Sequence, residues 1–189
     1  FEKKTKFRSK RFDDPKQNLV GTKKRVDLIY GNSKAKTLIA SFFEHFKSGS
    51  ILVIHGPTGI GKTILAQTAA KEHKVFLHTL RSMEKDNVGL ISRIKDYMLC
   101  PKTYQKECFL IDPFEEISGD AITTRRFCEL ITSDKGRKSG RCFVIIVNNA
   151  YDKAYYPLRT GKMATAAKVI QMYKLNDSDI RRIINENNV

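Results

Sequence analysis

The sequence predicts an α/β fold: a parallel sheet with helices on both faces, closed by two short helices. Three observations predict it. Short apolar runs of strand type alternate with helically spaced apolar stripes between residues 35 and 147. Residues 51–73 place a buried-type strand, a glycine-rich loop and a helix in that order. The chain has 189 residues, 41% of them hydrophobic, which suffices for one ordinary domain with a core and a small appendage.

The elements follow in order. Residues 1–25 lack periodicity and read as an arm, 26–159 as the α/β core and 160–189 as an appended helical piece. Asn32 is placed to cap a first helix. Its stripe is Ala35, Leu38, Ile39, Phe42, Phe43 and Phe46, and Gly49 ends it. The first strand is 51–55, and the helix after the glycine loop covers about 61–73. Val75–Thr79 reads as the second strand. Val88, Ile91, Ile94, Tyr97 and Met98 mark a helix that stops before Pro101. Cys108–Ile111 is the third strand. Ile122, Phe127, Leu130 and Ile131 place a helix over 121–132, and Gly136–Gly140 reads as a basic loop. Cys142–Val147, an unbroken apolar run, is the fourth strand. Two helices, about 163–174 and 177–187, close the chain.

Gly56-Pro57-Thr58-Gly59-Ile60-Gly61-Lys62-Thr63 fits the phosphate-binding P-loop pattern, and Ile64 continues it into the helix. Loop amides and the helix N-terminus point at an anion. Lys62, on an exposed loop, reaches the β- and γ-phosphates of a nucleotide, and the Thr63 hydroxyl binds Mg²⁺. Fifty residues after Lys62, the strand Cys108–Ile111 ends in Asp112, the Walker B pattern, whose carboxylate holds Mg²⁺ opposite Thr63. The fourth strand ends in Asn148-Asn149. An amide there either positions water against the γ-phosphate or only ends the strand in a turn.

Net charge is +15, of which the first 25 residues supply +7. Such a field favours a polyanion: DNA, RNA or an acidic membrane surface. The arm also reads as a solvated tail, or as a localisation signal in Lys3–Arg11. No run of about 18 apolar residues is present, so no membrane span is expected; the neighbouring P-loop weights the field toward nucleic acid, and no membrane partner is expected. Cys100, Cys108, Cys128 and Cys142 are widely spaced, without metal-ligand or disulfide spacing. They point to a reducing compartment, nucleus or cytoplasm, and against secretion. The four histidines have no metal-ligand spacing; His55 reads as a strand-end residue.

Taken in order, Walker A, Walker B and Asn148 resemble the AAA+ ATPases, a family of P-loop NTPases. Val26-Asp27-Leu28-Ile29-Tyr30-Gly31-Asn32 is similar to the stretch before their first helix, whose Ile29-Tyr30-Gly31 part would border adenine. Within that family the chain resembles the clamp-loader group, including the replication factor C large subunits and related alternative loaders. The runs Val147–Arg159 and Lys168–Asn188 carry that likeness beside the P-loop. It implies ATP and Mg²⁺, a start of the helical lid over 160–189, and Asn148 as the polar sensor at the γ-phosphate. It also implies neighbouring AAA+ subunits in a hetero-oligomeric ring, a sliding clamp, and DNA held through its phosphate backbone.

Three departures stand out. Family members carry Glu directly after the Walker B Asp; here Pro113 stands there, and Glu115 and Glu116 follow. A fifth strand is missing from its expected place after Leu158-Arg159. The lid's sensor arginine belongs just after the stretch matched by Asn185–Val189, so Arg181 and Arg182 read as surface residues. Arg159 reads as a solvated arginine outside the site. The start and finish of the chain read as those of a fragment. Other readings stay open: a helicase-loader or packaging ATPase, a small-molecule kinase, and a scaffold that binds nucleotide without hydrolysing it.

Overall fold

The computed structural model describes residues 30–80, 89–118, 120–160 and 167–186. The basic arm, Ile29, Val88 and residues 161–166 and 187–189 lie outside them. Five strands, β1 (Ile51–His55), β2 (Phe76–Leu80), β3 (Glu107–Ile111), β4 (Cys142–Val147) and β5 (Ala167–Gln171), form one parallel sheet in the order β2-β3-β4-β1-β5. Every residue of β1 and β4 is buried, because both faces of these central strands are covered. That is why both read as unbroken apolar runs.

Alternation along the strands sorts the core into two layers. Leu52, Ile54, Val144 and Ile146 face α1 (Ser33–Glu44) and α2 (Lys62–Glu72), meeting Ile39, Phe43, Leu65 and Ala69. Ile51, Val53, Phe143 and Ile145 face the opposite layer. That layer holds α3 (Gly89–Leu99), α4 (Phe114–Ser118), α5 (Ala121–Thr132), α6 (Asp134–Lys138) and, after a 3-10 turn at Lys153–Tyr155, α7 (Tyr156–Arg159). Ile94, Phe114, Phe127, Ile131 and Leu158 are all at most 1% exposed there. Burying each such side chain contributes about 1.5–3 kcal/mol.

At the sheet's amino end, Arg141 and Glu107 form a buried ion pair, each side chain 2% exposed. Arg141 also donates to the Cys100 carbonyl, and Glu107 accepts from the Thr103 and Tyr104 amides. These bonds offset the cost of burying two charges.

Four sequence expectations change. The helix expected over 163–174 is a strand across 167–171, paired residue by residue with β1 from Ile51↔Ala167 to His55↔Gln171. The fifth strand is therefore present, and these residues belong to the sheet, not to a lid. Gly136–Gly140 is not a plain loop, since Asp134–Lys138 makes one helical turn capped by the Ser133 hydroxyl at the Gly136 amide. Ile122 is 66% exposed, and α5 buries Thr124, Phe127, Cys128 and Ile131 instead. Asn32 occupies the N-cap position of α1 but makes no side-chain cap. Its amide instead donates to the Tyr173 carbonyl at 2.9 Å and accepts from the Tyr173 N–H at 2.7 Å. The final helix, α8, spans Asp177–Glu186. Among the described residues, no helix is long and apolar enough to cross a membrane.

Candidate functional site

The parallel register brings the carboxyl ends of β1, β3 and β4 side by side, and the chain places its motifs there. After β1 the backbone turns at Gly56, whose φ is +146°; a Cβ there would stand 2.3 Å from the Met172 carbonyl oxygen. Only glycine allows that approach between the loop and the chain leaving β5. The Gly56 amide donates to the Asn148 carbonyl at 3.2 Å, tying the loop to the end of β4. At Gly61, φ is +85°, and this residue is the N-cap of α2. A Cβ at Gly59 or Gly61 would meet nothing within 4 Å, so the loop encloses an open cradle above the first amides of α2. Those amides have no partner within the helix and present positive ends to an anion.

Lys62 departs from the exposed position expected of it. The residue is 7% exposed, and its ammonium donates to the Gly56 and Pro57 carbonyls at 2.6 and 2.7 Å and to Asn148 Oδ1 at 3.4 Å. Burial lowers the pKa of this ammonium, while the charges of Glu115 and Asp112 pull it back up. Beside it, the Thr63 hydroxyl donates to Asp112 Oδ2 at 2.5 Å. Asn148, exposed at the end of β4, is held between Lys62 and Glu115.

Pro113 follows Asp112, and α4 starts one residue later. The turn of α4 carries Glu115 inward. Its Oε1 accepts the Asn148 backbone N–H, and its Oε2 is buried with no hydrogen-bond partner. Glu115 thus joins Lys62, Thr63, Asp112 and Asn148.

The ring of His55 is 3% exposed and meets Tyr151 edge-on, 5.2 Å between centroids. Burial lowers its pKa, and the Lys62 charge adds to that. No local pattern signals this burial, since a strand-end histidine is ordinarily half solvated. Arg159 is not simply solvated. It donates to the Tyr151 and Asp152 carbonyls at 3.2 Å and lies 5.3 Å from the Tyr151 ring, bracing the turn after β4. Arg181 and Arg182 are exposed on α8. Gly31 adjoins α8 and the irregular segment leading to it, since a Cβ there would meet Leu175 at 2.5 Å and Asp179 at 3.1 Å.

Comparisons with known proteins bear on the family and the fold. The family described as "ATPase family associated with various cellular activities (AAA)" matches residues 52–171. The replication factor C large subunit of Sulfurisphaera tokodaii is 22% identical over 170 residues, covering 85% of this chain and 36% of that protein. The replication factor C large subunit of Methanococcus maripaludis is 28% identical over 102 residues, covering 51% of this chain and 21% of that protein. The chain thus spans little more than a third, or less, of these relatives. Among solved structures, a RuvB variant of Thermotoga maritima superposes with a TM-score of 0.59 at 15% identity, over 89% of this chain and 54% of that one. The FIGL-1 AAA domain in complex with ADP gives 0.55 at 17% identity, over 84% and 58%. The fold is that of the AAA P-loop NTPases.

Proposed function

The chain belongs to the AAA family of ATPases, and from that premise we propose that it binds and slowly hydrolyses Mg-ATP as a clamp-loader-like subunit. In this reading it works with other AAA+ subunits in a ring to place a sliding clamp on DNA. One observation carries the nucleotide part: Lys62, Thr63, Asp112, Glu115 and Asn148 converge where the glycine loop meets the ends of β3 and β4. The likeness to replication factor C large subunits supports the clamp-loading part.

The donor set fits Mg²⁺. Thr63 Oγ1 and Asp112 Oδ2 are hard oxygens 2.5 Å apart, and among the described residues no group of three or more His, Cys, Asp or Glu is placed to cage a metal. An ion held by two protein oxygens, with the remaining positions left to phosphate and water, is the usual Mg²⁺ arrangement. Bound there, it would neutralise charge building on the β- and γ-phosphates. The chain's own groups would do the rest. Loop amides and Lys62 would hold the phosphates. Glu115 Oε2, buried and unpartnered, would take a proton from the attacking water, and Asn148 would orient that water. Glu115 would replace the carboxylate that Pro113 displaces. Pro113 also keeps a second reading in view, a subunit that binds nucleotide without turning it over.

The test is turnover of radiolabelled ATP, with and without primed DNA and the cognate clamp, beside binding of a fluorescent ATP analogue. A clamp loader shows stimulation by DNA and clamp together. Stimulation by DNA alone favours a helicase loader or packaging ATPase. Binding without turnover under every condition favours the scaffold. No nucleotide binding would end the ATP reading.

A further inference from the structure

The amino ends of β1, β3 and β4 lie one strand length from the glycine loop, about 17 Å for five residues. Three segments meet there. Gly49 packs on the backbone of Arg137, and Gly140 packs on Ser48 and on the ammonium of Lys102. The Lys102 ammonium donates to Ser48 Oγ at 3.2 Å and to the Gly140 carbonyl at 2.8 Å. Between the segments opens a cavity of about 490 Å³, lined by Lys47, Ser48, Ser50, Asp134, Arg137 and Lys138 among others.

Lys47, Lys102, Arg137 and Lys138 are all exposed, against the single carboxylate of Asp134 on the cavity wall. Among the described residues, no carboxylate forms an ion pair with any of the four. The acid beneath them, Glu107, is buried and already paired with Arg141. Lys102 is turned inward by its two bonds, while the charges of Lys47, Arg137 and Lys138 offset no buried acid. Side chains on the cavity wall are cationic, acidic or hydroxylic, and none is apolar. A protein partner would need an apolar or aromatic centre in the patch. Lysines, arginines and serines without one match the contacts made to a nucleic-acid phosphate backbone.

We propose that this end of the sheet is a contact site for the phosphate backbone of duplex DNA, separate from the ATP cradle and built of residues outside the basic arm. The site rests on the reading that the chain works on DNA, and it is independent of whether ATP is hydrolysed. Contact is through charge and hydroxyls, so it reads no base sequence.

The test uses the full chain and a fluorescein-labelled duplex, followed by anisotropy over a salt series. The variant is Lys47→Ala/Arg137→Ala/Lys138→Ala. Lys102 is left intact because its ammonium braces Gly140. The slope of log K against log salt should shrink by about 2.7, which is 0.9 for each of three phosphates no longer neutralised, with at least a roughly tenfold loss of affinity at 0.15 M salt. Melting temperature and affinity for a fluorescent ATP analogue should not move, and Lys47→Arg/Lys138→Arg should bind as the parent does. A triple variant with the parent's slope and affinity overturns the site alone. The site is equally overturned if the triple variant keeps its DNA affinity but loses binding to phosphatidylserine vesicles. A parent chain that binds no duplex at all overturns both the site and the DNA reading behind it.

Discussion

Glu115→Gln separates the catalytic part of the proposal from its structural support. In the parent, Oε1 accepts the Asn148 N–H and Oε2 is buried without a partner. A hydrogen bond to a charged acceptor contributes about 1.5–3 kcal/mol. Glutamine keeps an acceptor oxygen and the same volume, and it removes a buried charge. Its stability cost should therefore stay below about 1 kcal/mol. Glu115→Ala loses the whole bond, and for a domain of this size its melting point should fall by about 3–12 °C, taking 2–4 °C per kcal/mol. Catalysis should respond differently. Losing a positioned general base typically costs 10²–10⁴ in rate, so Glu115→Gln should lose about that much turnover at nearly parental nucleotide affinity. The assay is single-turnover hydrolysis of radiolabelled ATP, which resolves slow rates, beside analogue binding and a melting curve. Glu116→Gln is the control and should turn over like the parent. Turnover of Glu115→Gln within about threefold of the parent would refute the assignment, since even a weak general base is worth more than that. A loss confined to Glu116→Gln would move the role one residue along.

Four further outcomes are expected. Lys62→Ala should abolish tight binding of a fluorescent ATP analogue and lower the melting point by a few degrees, because the ammonium also holds the Gly56 and Pro57 carbonyls; unchanged nucleotide affinity would refute the P-loop assignment. Gly56→Ala should cost about 1–3 kcal/mol through its forced φ and its collision with the Met172 carbonyl, read as a lower urea midpoint; a parental midpoint would contradict the close approach. The pKa of His55 is lowered in the fold from about 6.5, so the unfolded chain takes up the proton first. Its contribution to stability is complete above pH 6.5 and is lost as pH falls below it, so the urea midpoint should drop between pH 7.5 and 5.5 by less in His55→Phe than in the parent. Deleting residues 1–25 removes ten basic residues and should reduce both duplex affinity and the salt slope, by about 0.9 for each phosphate that the arm neutralises. Unchanged affinity and slope would give the arm another role.

Central strands were legible because burial on both faces leaves no room for polar residues, as in β1 and β4. The edge strand β5 was not. Ala167–Gln171 is half covered and carries Lys168 and Gln171, so it shows no apolar run; its pairing with β1 alone makes it extended. Lys62, Thr63, Asp112 and Asn148 sit in local patterns and could be named from them. Placing Glu115 in the site required the phase of α4 after Pro113, which no local pattern encodes, while the side chain of Glu116 lies outside what is described. The real partner of Asn32 is 141 residues away, so a capping reading was all that its neighbours could supply.

The bonds between Asn32 and Tyr173 also guard the molecule against its own kind. The Met172 N–H turns toward β1, bonding the His55 carbonyl, so the peptide groups of Tyr173 face outward from the open side of the sheet. An outward-facing N–H and C=O are the rung on which a stray strand would begin to add. The Asn32 amide fills both positions with one donor and one acceptor, as a neighbouring strand would. A little further back, the Lys168 ammonium reaches over to the Leu38 carbonyl and sets a charge beside the same margin. Just past β5 the margin of the sheet is thus closed at Tyr173 by a side chain, which satisfies the backbone there and cannot propagate a ladder.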